Sequence, residues 1–365
     1  MSGFHVPSAR RGLISQAARL IVLVLGVATA WVVSGSSPPI RPRLSAQLTV
    51  LVPRSFVWVG PFGAGGRQVV ELRSPVTGRV RTVLGTFGQS FTNNGLALSP
   101  DGRDVYVTLI PQRKRWTNLL LERIAVSDKK RTLIARGEQP AVSPDSQLLA
   151  YTAGGRAGSQ SVAVRDLASG TTRSINIAGL IGSGGDPLGA SVTWLADGSN
   201  VAVVPAGVAY AVSGASHASK RPVAPCHAPV GSSCLVIVHV TPAGQALTAR
   251  RFILPGVHGI QTLSGDAAAP GSLLLAADDA KNNAVIDKIT PAGSTIRVQQ
   301  LLSIPRGLAI TFDPAGRHLL YLTNTIPLPN TDITTVTLWN ATIASGHLID
   351  RERLIRNPQL GAAAW

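Results

Sequence analysis

The sequence predicts an all-β chain that folds as a six-bladed β-propeller of four-stranded blades, with seven blades as the alternative. Gly (37) and Pro (25) are spread along all 365 residues and divide the chain into many short segments. Between these breakers Val, Ile, Leu and Thr recur in short runs, as they do in strands. After residue 40, no run has the clear 3.6-residue periodicity of an amphipathic helix. A repeat of paired strands then favours a propeller over other all-β folds.

Two hairpin patterns alternate along the chain. In the first, alternating apolar residues lead into a turn of Pro, Asp and Gly, and a second apolar run follows. Its copies lie at 96–109, 140–153, 191–204 and 308–323, with a fifth, carrying an insertion, at 260–278. The second pattern turns through Gly or Asp and has six copies, at 70–84, 121–134, 162–177, 237–254, 285–302 and 338–355. One period therefore contains four strands, and the six copies predict six blades.

The spacing of the repeats and the end of the sequence both fit a propeller. The turn aspartates Asp101, Asp145 and Asp197 lie 44 and 52 residues apart, and a four-stranded blade takes about 40–50 residues. Segment 357–365 looks like the first strand of a further copy. The first strands, around 48–52 and 55–60, lack such a partner ahead of them. We therefore expect the C-terminal strand to complete the first blade, which removes exposed strand edges.

The first forty residues predict export. An uncharged stretch at 20–40, most apolar at 20–33, follows three basic residues, Arg10, Arg11 and Arg19. Positive charge before an apolar run places the N-terminus inside and the remainder outside. The stretch reaches the length of a membrane-spanning helix, about 20 residues, only by including its Ser- and Pro-rich end.

A cleaved signal peptide is the alternative to a membrane anchor, because Ala28-Thr29-Ala30 provides a small-residue cleavage site. The prediction is a single-pass protein of the cell membrane with its propeller on the extracytoplasmic side, or a secreted propeller if the chain is cleaved after Ala30. The predicted divisions are a short basic cytoplasmic N-terminus at 1–19, a signal anchor or signal peptide at 20–40, and the propeller at 41–365.

The net charge of +16 comes from 34 basic and 18 acidic residues. A basic balance favours anionic neighbours. No stretch interleaves basic residues with aromatics as a nucleic-acid module does, so no nucleic-acid partner is predicted. We interpret the charge as solvated loop charge, with contact to an anionic envelope component as the alternative. The candidate surface contact is the densest cluster with its neighbouring aromatic residue, Arg113, Lys114, Arg115 and Trp116.

The two cysteines, Cys226 and Cys234, lie in a stretch that resembles a loop. In an oxidising compartment, two nearby cysteines favour a disulfide that closes a small loop. Metal ligation together with His227 is the alternative, but a fourth ligand is missing at any usual zinc spacing. No metal site is therefore predicted.

The first hairpins resemble the WD40-like repeats of TolB-type propellers, whose hallmark is a turn of sequence SPDG. The match lies at Ser99, Pro100, Asp101 and Gly102 and again at Ser143, Pro144 and Asp145, followed by Leu149-Ala150-Tyr151. The resemblance covers about residues 44–365. Later copies keep parts of the turn at Asp197, Gly198, Asp313 and Gly316, whereas Ser146 stands in place of Gly and Ala315 in place of Asp.

This resemblance implies an exported propeller that binds other proteins or envelope components. It transfers no catalytic residue, because the Ser, Pro and Asp of the repeat build turns. An Asp in such a turn accepts hydrogen bonds from its own backbone, so we expect these residues to be structural.

Residues that could perform catalysis are sparse. The four glutamates are scattered, and the seven histidines are isolated in sequence. His258 and His318 lie near first-type hairpins and are the only plausible members of a channel site. No G-x-S-x-G motif is present. The sequence thus predicts no catalytic residue, metal or cofactor, and a non-catalytic binding module whose partner is another protein or an anionic envelope component. The alternatives are a lyase or lactonase with a metal in the channel, and an extracytoplasmic sensor that reports to a separate regulator.

Overall fold

The structure of the protein is a computed structural model. It describes residues 54–60, 67–88, 90–111, 119–153, 161–181, 191–204, 232–241, 247–279, 281, 283–324, 336–344, 346–356 and 363–365. The chain divides into two compact units, Met1–Arg43 and Leu44–Trp365, and the described residues belong to the second. The predicted N-terminal helix and the predicted strand at 48–52 lie outside them. Among the described helices, none has the length and apolar character needed to cross a membrane.

The described chain is almost entirely β-structure. Its first eleven strands are β1 (Phe56–Val59), β2 (Gln68–Arg73), β3 (Val80–Phe87), β4 (Ser90–Leu98), β5 (Asp104–Ile110), β6 (Leu120–Ala125), β7 (Arg131–Arg136), β8 (Glu138–Val142), β9 (Leu148–Ala153), β10 (Ser161–Asp166) and β11 (Thr172–Asn176). One helical turn follows, α1 (Ala178–Ile181). The remaining strands are β12 (Ser191–Trp194), β13 (Asn200–Val204), β14 (Ser232–Val240), β15 (Leu247–Pro255), β16 (His258–Gly265), β17 (Leu273–Asp278), β18 (Ala284–Ala292), β19 (Thr295–Ile304), β20 (Gly307–Phe312), β21 (His318–Asn324), β22 (Val336–Ala344), β23 (His347–Arg356) and β24 (Ala363–Ala364).

These strands form six antiparallel four-stranded sheets, one for each blade. Blade 1 has the order β24-β1-β2-β3, and blades 2 to 6 take β4–β7, β8–β11, β12–β15, β16–β19 and β20–β23 in turn. The six-bladed prediction is confirmed, and each predicted hairpin occupies the expected pair of strands. β24 pairs antiparallel with β1, with Ala364 opposite Val57 and Ala363 opposite Trp58. The C-terminal strand is therefore the innermost strand of blade 1.

The core lies between the blades and is divided into six clusters, one for each pair of neighbouring blades. The two faces of a strand explain this arrangement, because successive side chains point to opposite sides. In β5, Val105, Val107 and Leu109 join the cluster shared by blades 1 and 2. Tyr106, between them in sequence, joins the cluster shared by blades 2 and 3. Middle strands are thus apolar on both faces, and this is why the sequence shows continuous apolar runs there.

The cluster between blades 6 and 1 closes the ring. It combines Phe56, Trp58, Ala363 and Trp365 of blade 1 with apolar residues of β21 and β22 in blade 6. The rings of Phe56 and Trp365 meet edge to face, with centroids 6.0 Å apart. Burial of aromatic rings of this size is a large apolar contribution to stability. The C-terminal strand therefore contributes packing as well as a backbone ladder.

Candidate functional site

The SPDG turns are held by their own side chains. In blade 2 the Ser99 hydroxyl donates to the Asp101 carboxylate and accepts the backbone N–H of Asp104 at 2.9 Å. Asp101 also accepts the backbone N–H of Arg103 at 3.0 Å. The same bonds recur in blade 3 around Ser143 and Asp145, next to Pro144. The hydroxyl and carboxylate groups of these Ser and Asp residues therefore stabilise the turns.

The turns of blades 4 and 6, which depart from the SPDG sequence, are also held by side-chain hydrogen bonds. In blade 4, Asp197 accepts the backbone N–H groups of Ser199 and Asn200, and Gly198 takes the left-handed conformation. In blade 6, Asp313 stands where the repeat has Ser. One of its oxygens accepts two backbone N–H groups, from Arg317 at 2.6 Å and from His318 at 2.9 Å. A single carboxylate thus replaces the Ser–Asp pair.

Asp313 differs from the other turn aspartates in its burial. The residue is fully buried, and its second carboxylate oxygen has no hydrogen-bond partner among the described residues. Burial raises the pKa of the Asp313 carboxyl, and the N–H groups of His318 and Arg317 oppose that effect. The carboxyl therefore retains its proton to a higher pH than an exposed aspartate does. Gly316, which follows in the same turn, has φ +68°.

The central channel is lined by the innermost strand of every blade. Residues of β4, β8, β12, β16, β20 and β24 surround a cavity of about 130 Å³. The described lining residues are uncharged: they supply aliphatic side chains, prolines and aromatic rings, the hydroxyls of residues such as Thr193, Thr262 and Thr311, and the amide of Gln261. The Gln261 amide donates to the Asp278 carboxylate at the end of β17. The channel therefore offers apolar surface and a few hydroxyls.

Of the two histidines predicted as possible channel members, His318 does not belong to the described lining. The side chain of His258 lies outside the described part of the structure. The ring of His318 lies 6.2 Å from that of Trp365 and contacts the Thr342 hydroxyl at 3.4 Å. Within the described ranges, no three His, Cys, Asp or Glu side chains cluster in a way that could hold a metal ion.

Among solved structures, TolB from Acinetobacter baumannii aligns with a TM-score of 0.50 and 13% identity, over 85% of this chain and 65% of that chain. This chain has a TolB-like propeller fold. It spans less than two thirds of the length of that TolB. A protein assigned as TolB from Agrobacterium tumefaciens aligns with a TM-score of 0.48 and 12% identity, over 85% of this chain and 97% of that chain.

A protein assigned as a 6-phosphogluconolactonase from Bacteroides uniformis aligns with a TM-score of 0.47 and 12% identity, over 84% of this chain and 83% of that chain. No family model matches the sequence, and no curated protein matches it. At identities this low the likeness describes the fold, so the function of the TolB-like propeller has to be argued from its own residues.

Two of the predicted sites lie wholly or partly outside the described residues. The predicted surface contact, Arg113, Lys114, Arg115 and Trp116, is one of them. Cys226 is outside as well, so the disulfide with Cys234 stays a prediction. The sequence placed Cys234 in a loop, and this was wrong. It lies in β14, 1% exposed, within the core between blades 3 and 4.

The exterior of the TolB-like propeller carries a feature that sequence reasoning missed. The outermost strands of the six blades are β3, β7, β11, β15, β19 and β23. Together they carry ten arginines, all exposed: Arg81, Arg131, Arg136, Arg173, Arg250, Arg251, Arg297, Arg351, Arg353 and Arg356. We call this set the outer-strand arginines. These ten arginines are exposed to solvent, as the interpretation of the charge expects, but they lie in strands and not in loops. The sequence contains a signal for this feature, because the second strand of each second-type hairpin has at least one Arg.

Proposed function

We propose that this TolB-like propeller is a non-catalytic binding module that works outside the cytoplasm and recognises a protein or an envelope component. The observation that carries the proposal is that the described residues lining the channel are uncharged. Acid–base and metal chemistry require carboxylates, imidazoles or thiolates that converge on one point. The described channel residues present aliphatic groups and hydroxyls instead, which supports recognition at the exterior of the molecule.

The architecture supports the same proposal. Each blade is packed against both neighbours through a buried cluster, and β24 ties the two ends of the propeller together. A ring of this kind is a rigid scaffold on which loops and strand edges can present a recognition surface. The resemblance of the SPDG hairpins to TolB-type repeats points in the same direction, since it implies binding of proteins or envelope components.

The proposed location rests on the N-terminal sequence. Basic residues ahead of an apolar stretch at 20–40 favour export, with the stretch as a single membrane anchor. Cleavage after Ala30 would release the propeller instead. N-terminal sequencing of the mature protein distinguishes these outcomes, because only a cleaved chain begins at Trp31. A disulfide between Cys226 and Cys234 belongs to the same proposal, and an intact mass unchanged by reduction would contradict it.

Capture from an envelope extract tests the proposed function. The full-length chain in mild detergent is expected to retain a specific protein or polymer that the heat-denatured chain does not retain. The divalent-metal content is measured on the same sample. Stoichiometric calcium or zinc with no retained partner would overturn the proposal in favour of a metal-dependent lyase or lactonase. Retention of a transmembrane or cytoplasmic regulator would favour the sensor alternative.

A further inference from the structure

The outer-strand arginines are almost free of compensating charge. The six outermost strands contain two acidic residues, Asp350 and Glu352, both in β23, and no lysine. Within the described part of the chain, only Arg131 and Arg251 of the ten have a side-chain hydrogen bond or an ion pair. A row of like charges without partners raises the local positive potential, which attracts anions.

Most acidic residues that form ion pairs in the described structure are engaged nearer the propeller axis. Glu71 pairs with Arg73 at 2.7 Å within β2, and Asp104 of β5 pairs with Arg123 of β6 at 2.9 Å. Asp266, which follows β16, pairs with Lys288 at 2.7 Å. None of these three pairs involves an outermost strand, whereas Glu122 of β6 pairs with Arg131 of β7 at 2.7 Å. With ten arginines against two acidic residues, the outermost strands carry the excess positive charge of the described propeller.

Protection of strand edges does not account for the pattern by itself. Charged side chains, especially Lys, discourage an edge strand from pairing with another molecule. Here β7 and β15 carry two arginines each and β23 carries three, and none of the six strands contains a lysine. The guanidinium group differs from an ammonium group in that it binds phosphate and carboxylate through two parallel hydrogen bonds. The composition therefore favours recognition of such anions.

The placement of these arginines indicates the shape of the partner. They occur on all six blades and so are distributed around the circumference, whereas a flat membrane could meet only part of it. A flexible linear chain can follow the circumference from blade to blade. The aromatic residues of the outermost strands, Phe87 and Phe252, are 2% and 6% exposed. Nucleic-acid binding surfaces stack bases on exposed aromatic rings, and these strands offer none.

We propose that the outer-strand arginines bind a linear polyanion other than nucleic acid, with phosphate or carboxylate groups on a flexible backbone. This inference rests on the proposed function, because it names one class of envelope component and the surface that recognises it. Binding is electrostatic and releases counterions, so its affinity falls steeply as salt concentration rises.

The test uses the full-length chain in a zwitterionic detergent and four probes. Inorganic polyphosphate and polyglutamate distinguish phosphate from carboxylate as the recognised group, while an oligothymidylate and vesicles containing phosphatidylglycerol represent nucleic acid and membrane. The test variant is R81Q/R173Q/R297Q, on blades 1, 3 and 5. The matched control is R103Q/R306Q/R317Q, which removes the same charge from exposed arginines outside the outermost strands.

Polyphosphate, polyglutamate or both are expected to bind the wild-type chain more tightly than the other two probes. The test variant should weaken this binding by about tenfold or more and reduce the salt slope by about 2, roughly 0.7 for each lost contact. The control should change the affinity by less than about threefold, because those arginines lie outside the outermost strands and Arg103 already faces Asp101 at 3.8 Å. Replacing Arg81, Arg173 and Arg297 by lysine should weaken binding to an intermediate degree, since charge is kept and the two-point contact is lost.

Three results would overturn the inference: no binding of either polymer, equal losses in the test variant and the control, or tighter binding of oligothymidylate or vesicles. If the polymers do not bind but the chain still captures a protein from the envelope extract, the inference fails and the proposed function stands.

Discussion

Replacing Trp194 with alanine is expected to lower the free energy of unfolding by about 3–5 kcal/mol, the usual cost of deleting a large buried aromatic side chain. Trp194 is 4% exposed and packs in the cluster that joins blades 3 and 4. Its indole N–H donates to the carbonyl of Ala141, in the neighbouring blade, at 2.9 Å. The substitution therefore opens a cavity and also leaves a buried carbonyl without this donor. Urea denaturation followed by circular dichroism measures the effect.

Trp194→Phe separates these two contributions. It keeps most of the apolar volume and removes the N–H, so we expect a smaller loss of about 1–2 kcal/mol. If Trp194→Ala costs less than about 1 kcal/mol, the inter-blade cluster is not the source of stability described above.

Replacing Gly78 with alanine is expected to cost about 3 kcal/mol or more, because two effects add. Gly78 has φ +65°, a conformation that costs other residues about 1–2 kcal/mol. A methyl group at this position would also overlap the backbone carbonyl of Leu354 in β23. The turn between β2 and β3 thus packs against blade 6, and Asn340 of β22 donates to the Pro75 carbonyl of the same turn at 3.0 Å. Thermal unfolding of wild type and Gly78→Ala in parallel measures the loss of stability.

Gly102→Ala is the matched control for this substitution. Gly102 has nearly the same backbone conformation, φ +72°, but an added methyl group would meet nothing within 4 Å. Its cost should be the conformational part alone, about 1–2 kcal/mol. Equal effects at the two positions would mean that blade 1 does not pack against blade 6 as the structure describes.

The architecture could be predicted because turn chemistry and strand alternation are local properties of the sequence. Each hairpin shows its turn residues directly, as at Asp101 and Gly102, and the number of second-type hairpins gives the number of blades. The pairing of β24 with β1 followed from an unpaired pattern at each end. The position of Cys234 was missed, because a Ser- and Pro-rich approach to β14 resembles a loop until the partner strands are known.

The candidate surfaces were less predictable, because they are assembled from distant parts of the chain. The sequence identifies Asp313 only as a turn aspartate. Its burial depends on packing that cannot be predicted from the repeat pattern. Arg81, Arg173 and Arg297 are isolated in the sequence and share only their place in the repeat. Their common feature, a position on the outermost strand of a blade, emerges when the blades are arranged around one axis.

The most direct test of the central claim, that the exterior and not the channel performs the binding, is a channel variant of the full-length chain. T193V/T262V/T311V removes three lining hydroxyls and preserves the branched shape of each side chain. The amount of partner captured from the envelope extract is compared between this variant and wild type, once their melting temperatures have been shown to agree. We predict equal capture by the two proteins. Loss of the partner by a stably folded channel variant would contradict the account and place recognition inside the ring.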